Sequence, residues 1–283
     1  MSDDITIQEL FKTLLKDRIL KKYRFNIQNN LNDFAFHLSS MEGKRVLDEK
    51  PLDRETVDEL LDTIPETVDH DIILTINGYI FLAHLCLDGN TPELAQRPLN
   101  YALELSVKVF TENRGRSTQL ETSERRELLD SMEPLVEGIV NFQATASGAQ
   151  IEPITLYETF VEGGLMLVEC ARKTALEVGQ TDAPGSEAAK TNDHERVFID
   201  HNHNAYHRGV VLLSKGYALG KKHGIKPEKL NSFADHITSS IGRLLDPEHG
   251  PEKRKKNLET ALAAAKNIEE KTLVSKITAD LQS

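Results

Sequence analysis

Two histidines and an aspartate lie at helical spacing in the segment 200–208, and together they could bind a metal ion. Asp200, His203 and His207 are three and four residues apart, which places them on one face of an α-helix. Two imidazoles and a carboxylate suit zinc, or iron if a further carboxylate is supplied by another helix. No second helix offers a Glu-x-x-His pattern, and no two cysteines have zinc spacing. A divalent metal site therefore stands as one hypothesis, with an ordinary polar helix surface as the alternative.

The same segment carries an arginine and a histidine whose spacing could support cleavage of RNA. Arg196 and His201 resemble the Arg-x4-His motif of HEPN-type ribonucleases, which are also all-helical. The resemblance implies that Arg196 polarises the phosphate and that His201 moves protons at the scissile bond. Val197 follows the arginine, whereas that family prefers a polar residue there. Ribonuclease activity is therefore retained only as an alternative.

Other enzyme classes leave no pattern in the chain. There is no Gly-rich phosphate loop and no Gly-x-Ser-x-Gly elbow. The two cysteines, Cys86 and Cys170, each lie within an apolar helical run, which predicts core side chains rather than disulfide partners or metal ligands. The sequence thus favours a non-enzymatic protein, although a helical enzyme with dispersed catalytic residues would leave no such pattern.

The helices that must position any site are clearest between Asp71 and Glu112. Apolar residues at helical spacing predict a first helix over 72–87, a turn at 88–90, and a second helix that begins at Pro92. This hairpin resembles a tetratricopeptide unit at Gly78, Tyr79, Ala83, Gly89, Ala95, Leu99 and Ala102. The chain has no Trp, and Pro98 is expected to interrupt the second helix early. The resemblance implies an all-α fold, either an irregular solenoid of helical hairpins or a large helical bundle.

Further helices are predicted along the rest of the chain. Thr6 with Glu9 forms a capping box, and Asp53 is an N-cap. Pro65 is expected to end the helix after Asp53, and Pro134 to kink or split a helix over 124–146. The helices that contain Gly164 and Gly209 can be aligned with each other. Because glycine in a helix interior costs about 1 kcal/mol relative to alanine, such glycines indicate close helix packing.

Composition limits the organisation and the location of the protein. The 283 residues carry a formal net charge of -11, so nucleic acid is not an expected partner. No apolar run reaches the length of a membrane span, and the polar residues 1–4 do not resemble a signal peptide, so we expect a cytoplasmic protein. The segment 181–191 is predicted to be a flexible linker or loop. It would join an N-terminal helical region, 1–180, to a C-terminal region, 192–283, packed on the first.

The leading hypothesis from the sequence is a helical scaffold or adaptor. Stacked helix pairs form concave surfaces, which can hold a protein or peptide partner in a groove. A homo-oligomer that packs through its small residues is a further hypothesis. Candidate groove residues are Asn77, Tyr79, His84, Tyr206 and Lys215.

Overall fold

The computed structural model describes residues 6–16, 22–40, 52–145, 151–181, 203–225, 227–246 and 253–282. These residues form eleven helices and no strand, which confirms the predicted all-α class. Within these ranges, no helix combines the length and apolar character that a bilayer crossing requires. In chain order the helices are α1 Ile7–Lys16, α2 Ile27–Leu38, α3 Arg54–Thr67, α4 Ile72–Asp88, α5 Pro92–Ser117, α6 Thr122–Thr145, α7 Pro153–Thr181, α8 His203–Lys222, α9 Pro227–Leu245, α10 Arg254–Asn267 and α11 Lys271–Gln282.

Local hydrogen bonds fix where the early helices begin. At α1 the Thr6 backbone N–H donates to Glu9 Oε2 at 2.9 Å, and the Glu9 N–H donates to Thr6 Oγ1 at 3.2 Å. At α3 the Thr56 N–H donates to Asp53 Oδ1 at 2.8 Å. These bonds satisfy backbone N–H groups that have no partner within the first turn of a helix. Both predicted caps are confirmed.

The contacts divide the chain into two units. One contains Met1–Val109 and Pro134–Thr155, and the other contains Phe110–Glu133 and Leu156–Ser283. The division falls inside α5, α6 and the first turn of α7, and it places the rest of α7 in the same unit as α8. Residues 182–191 of the predicted linker lie outside the described ranges, so the boundary at 181–191 stays a prediction.

The first unit is centred on α4, whose residues 73–83 are all buried. Phe34 stacks on Phe81 with ring centroids 4.6 Å apart, and Phe11 meets Phe34 edge-on at 6.1 Å. Gly78 admits the neighbouring helix, since a Cβ atom there would lie 2.6 Å from Ile64 Cγ2 of α3. Gly78 is therefore a point of close helix packing, and the helix that approaches it is α3.

The second unit contains a crossing of α7 and α8 at two glycines. A Cβ atom on Gly164 would lie 3.0 Å from the Gly209 carbonyl oxygen, and one on Gly209 would lie 2.9 Å from the Gly164 carbonyl oxygen. Gly216 faces Val161 in the same way, since a Cβ atom on Gly216 would lie 3.0 Å from Val161 Cγ2. Backbone therefore lies against backbone, which confirms the close packing expected of these glycines.

Prolines interrupt the helices less than their chemistry predicts. Pro65, Pro98 and Pro134 all lie inside continuous helices, α3, α5 and α6. Pro134 therefore does not split α6, as one expectation had it. The expectations that Pro65 ends α3 and that Pro98 interrupts α5 are also wrong. A helical proline loses one backbone hydrogen bond, and burial of the flanking residues offsets that loss. Leu99, Leu135 and Val136 are such buried neighbours.

The C-terminal segment, which the sequence suggests is one run over 252–281, forms the two helices α10 and α11. Between them Glu269 has a φ of 60°, in the left-handed region that non-glycine residues seldom adopt. Its neighbour Ile268 is buried, and the Ile268 N–H donates to the Ala264 carbonyl at 3.1 Å.

Candidate functional site

An open groove in the first unit is the concave feature that stands out in the described part of the chain. Its volume is about 520 Å³. α3 and α5 supply most of its lining, at spacings of three and four residues that put the side chains on one face of each helix. The lining residues are Arg54, Val57 and Asp58 of α3, then Glu93, Leu94, Gln96, Arg97, Asn100, Tyr101 and Glu104 of α5, and Glu152.

Arg97 lies at the centre of the interactions in this groove. Its guanidinium forms an ion pair with Asp58 of α3. Two of its nitrogens, Nε and Nη2, each lie 3.4 Å from the Tyr101 hydroxyl oxygen, and its Cζ is 5.6 Å from the Tyr101 ring centroid. These contacts raise the pKa of Arg97, the Tyr101 hydrogen bond contributing most. The groove therefore already holds one guanidinium between a carboxylate and an aromatic ring.

Two further contacts position the wall formed by α5. The Tyr101 ring packs against Tyr79 of α4, with centroids 5.8 Å apart. Asn100 Oδ1 accepts a hydrogen bond of 3.3 Å from the Glu152 backbone N–H. The first contact supports Tyr101 from the buried helix, and the second places the Glu152 carboxylate at the groove.

Charge in the groove is unbalanced. Two arginines face four carboxylates, which are Asp58, Glu93, Glu104 and Glu152. Of the carboxylates, Asp58 pairs with Arg97. Glu93, Glu104 and Glu152 are exposed, and within the described ranges none of the three forms an ion pair. The groove is therefore acidic as well as aromatic.

Comparison with protein-family models, with curated proteins and with solved structures gave no match.

The residues that the sequence suggested for a groove are placed differently. Asn77 is fully buried, and its amide donates to the Ile73 carbonyl at 2.8 Å and to the Arg24 carbonyl at 3.1 Å. Asn30 Nδ2 in turn donates to Asn77 Oδ1 at 2.9 Å. This buried pair ties the turn before α2 to α4, which is a structural role.

Of the remaining binding candidates, Tyr79 and His84 lie in the first unit, and Tyr206 and Lys215 lie in the second. Tyr79 is buried and supports Tyr101 rather than lining the groove. Tyr206 is fully buried in α8, whereas Lys215 of the same helix is exposed. His84 is half-buried, with its Nε2 3.3 Å from Asp88 Oδ2 and its ring 6.2 Å from Phe142.

The suggested metal ligands are only partly within the described ranges. Asp200 lies outside them, and His203 is the first residue of α8. His207 is buried, and its Nδ1 shares a hydrogen bond of 2.6 Å with Thr260 Oγ1 of α10. Among the side chains that the structure describes, no three His, Cys, Asp or Glu residues gather as a metal site. Arg196 and His201, the suggested ribonuclease pair, also lie outside.

Within the described ranges, none of the candidate residues predicted from the sequence lines the groove. The sequence nevertheless contains a pattern that marks one wall of the groove. Glu93, Arg97 and Tyr101 follow each other at intervals of four residues on α5, and Asp58 lies on the acidic helix α3. What the sequence lacks is the pairing of these two helices, which are about 40 residues apart in the chain.

Proposed function

We propose that this protein is a non-enzymatic helical scaffold that binds a peptide segment of a partner protein in the groove between α3 and α5. The observation that carries the proposal is the groove itself, an open volume of about 520 Å³ lined mainly by two helices, with exposed or partly exposed charged side chains and the partly exposed Tyr101. Extended grooves between helices are a common way to hold a peptide, since apolar and polar contacts alternate along them.

The same proposal includes the repeat-like build of the chain. The hairpin of α4 and α5 is similar to a tetratricopeptide unit, and we infer an irregular array of helical hairpins around it. Fold does not by itself fix function, so the groove and not the resemblance supports peptide binding. A cytoplasmic location is also proposed, because Cys86 and Cys170 are buried free thiols, which suit a reducing compartment.

The test selects peptides from a displayed random library with the purified full-length protein. The groove is then blocked with Gln96→Trp, because Gln96 lines it from α5 and is partly exposed. The matched control is Thr111→Trp, which places the same side chain at an exposed position of the same helix that does not line the groove. Helicity by circular dichroism verifies that both variants fold.

We expect selected peptides to bind the wild type and Thr111→Trp equally, and to bind Gln96→Trp at least tenfold more weakly by fluorescence anisotropy. A library that yields no peptide, or only peptides that bind Gln96→Trp as well as the wild type, would refute binding in this groove.

A further inference from the structure

Three carboxylates of the groove, those of Glu93, Glu104 and Glu152, form no ion pair with any residue that the structure describes. They lie on both sides of the Arg97 position, since Glu93 and Glu104 are four residues before it and seven after it on α5. Like charges that share a concave surface repel each other, and a cationic ligand would relieve that repulsion. Charge complementarity therefore selects a basic occupant over an acidic one.

Arg97 shows how a guanidinium fits in this groove. It pairs with Asp58, meets the Tyr101 hydroxyl, and lies over the Tyr101 ring. A guanidinium suits this combination because it is planar, always charged, and stacks on aromatic faces. The Arg97 side chain is 47% exposed, so it can move to solvent without breaking the packed core. An arginine of a partner could then take its place.

We propose that the occupant of the groove is an arginine-containing basic segment of a partner protein. One arginine of this segment displaces Arg97 at Asp58 and Tyr101, while Glu93, Glu104 and Glu152 hold further basic side chains. The inference rests on the proposed function, and it adds the chemical class of the partner and the role of Arg97 as an internal competitor.

The probe is a fluorescein-labelled eight-residue peptide in which arginine alternates with serine. Two matched peptides replace every arginine by citrulline, which is neutral and similar in shape, or by glutamate. Fluorescence anisotropy with the full-length protein measures the affinity for each. We expect the arginine peptide to bind at least tenfold more tightly than either of the others, and its affinity to fall as salt is added.

Protein variants test the residues. Glu93→Gln/Glu104→Gln/Glu152→Gln should weaken binding of the arginine peptide tenfold or more. The matched control Glu66→Gln/Glu127→Gln/Glu158→Gln removes the same number of charges at exposed positions that do not line the groove. We expect the control to change the affinity less than twofold, since solvent screens exposed charges that do not line the groove.

Arg97→Met tests the proposal most directly, because it leaves Asp58 and Tyr101 open to an arginine of the peptide and removes a positive charge from the groove. We expect it to tighten binding of the arginine peptide by threefold or more. If instead the glutamate peptide binds best and Arg97→Met weakens it, the basic occupant is refuted, while peptide binding in the groove stands. If citrulline and arginine peptides bind alike, the basic occupant is also refuted.

The two proposals fail in different ways. Peptides selected from the library that depend on the groove but carry no basic residue would refute only the basic occupant. Peptides that bind irrespective of Gln96→Trp would refute the groove as the binding site, and the inferred occupant with it.

Discussion

Two places where helices face each other use opposite kinds of residue. In the second unit α7 and α8 meet through Gly164 and Gly209, whose backbones touch. In the first unit α3 and α5 face each other through Asp58 and Arg97, and a groove remains between them. Small residues let helices close completely, whereas long charged side chains hold two helices apart and keep their ends in water. The first contact stabilises the fold, and the second leaves a surface that can bind.

The largest expected effect is at the closed contact. Gly209→Ala would place a Cβ atom 2.7 Å from Val168 Cγ2 and 2.9 Å from the Gly164 carbonyl oxygen. Backbone atoms cannot move aside cheaply, so we expect the free energy of unfolding to fall by about 3 kcal/mol. Urea unfolding followed by circular dichroism measures it.

The control for that variant is Gly242→Ala on α9, where a Cβ atom would meet nothing within 4 Å. Here only helix propensity changes, and we expect stability to rise by up to about 1 kcal/mol. Equal effects of the two substitutions would contradict the tight contact at Gly209.

A smaller effect is expected where a glycine faces a side chain instead of backbone. Gly78→Ala brings a Cβ atom to 2.6 Å from Ile64 Cγ2, and we expect a loss of about 2 kcal/mol. In an Ile64→Ala background the obstacle is gone, and Gly78→Ala should be neutral or slightly stabilising. Additive losses in the urea unfolding of the four proteins would show that Gly78 does not contact Ile64.

The smallest effect concerns the buried cysteines. Burial raises the pKa of Cys86 to about 12. The folded thiol thus stays protonated while the unfolded thiol ionises above about pH 9, so stability is lost as the pH rises from 9 toward 12. Between pH 8 and pH 10, the free energy of unfolding of the wild type should fall by about 1 kcal/mol more than that of Cys86→Ala.

Cys170 provides the comparison for this pH effect. Burial also raises its pKa, but the Ser117 hydroxyl and the nearby Arg125 guanidinium partly oppose the shift. Cys170→Ala should therefore remove a smaller part of the alkaline loss than Cys86→Ala. The urea midpoints of both variants at pH 8 and pH 10 measure this loss of stability. A larger change for Cys170→Ala than for Cys86→Ala would contradict the surroundings described for the two thiols.

Features encoded in neighbouring residues were predictable. The capping box of Thr6 and Glu9 and the N-cap at Asp53 depend on residues three positions apart, so the sequence contains all of the information. The proline effects were not predictable in the same way. Pro134 lacks a donor in any context, but whether a helix continues through it depends on the buried neighbours that hold both halves in place.

In the candidate site, too, the local spacing of residues is visible in the sequence and the contacts between helices are not. The sequence shows Arg97 and Tyr101 four residues apart, yet it does not show that Asp58 lies opposite them. It also presents Asn77 as a polar residue on a helix, whereas packing buries it against two backbone carbonyls.

The sequence by itself determined the all-α class, most of the helices, and the glycines at which helices pack closely. Local hydrogen bonding and apolar periodicity act within a few residues, and they need no knowledge of the fold. Only the tertiary structure decided which helix each glycine meets, and that α3 and α5 enclose a groove. Those outcomes depend on how segments distant in the chain fit together, and no spacing within a single segment contains that information.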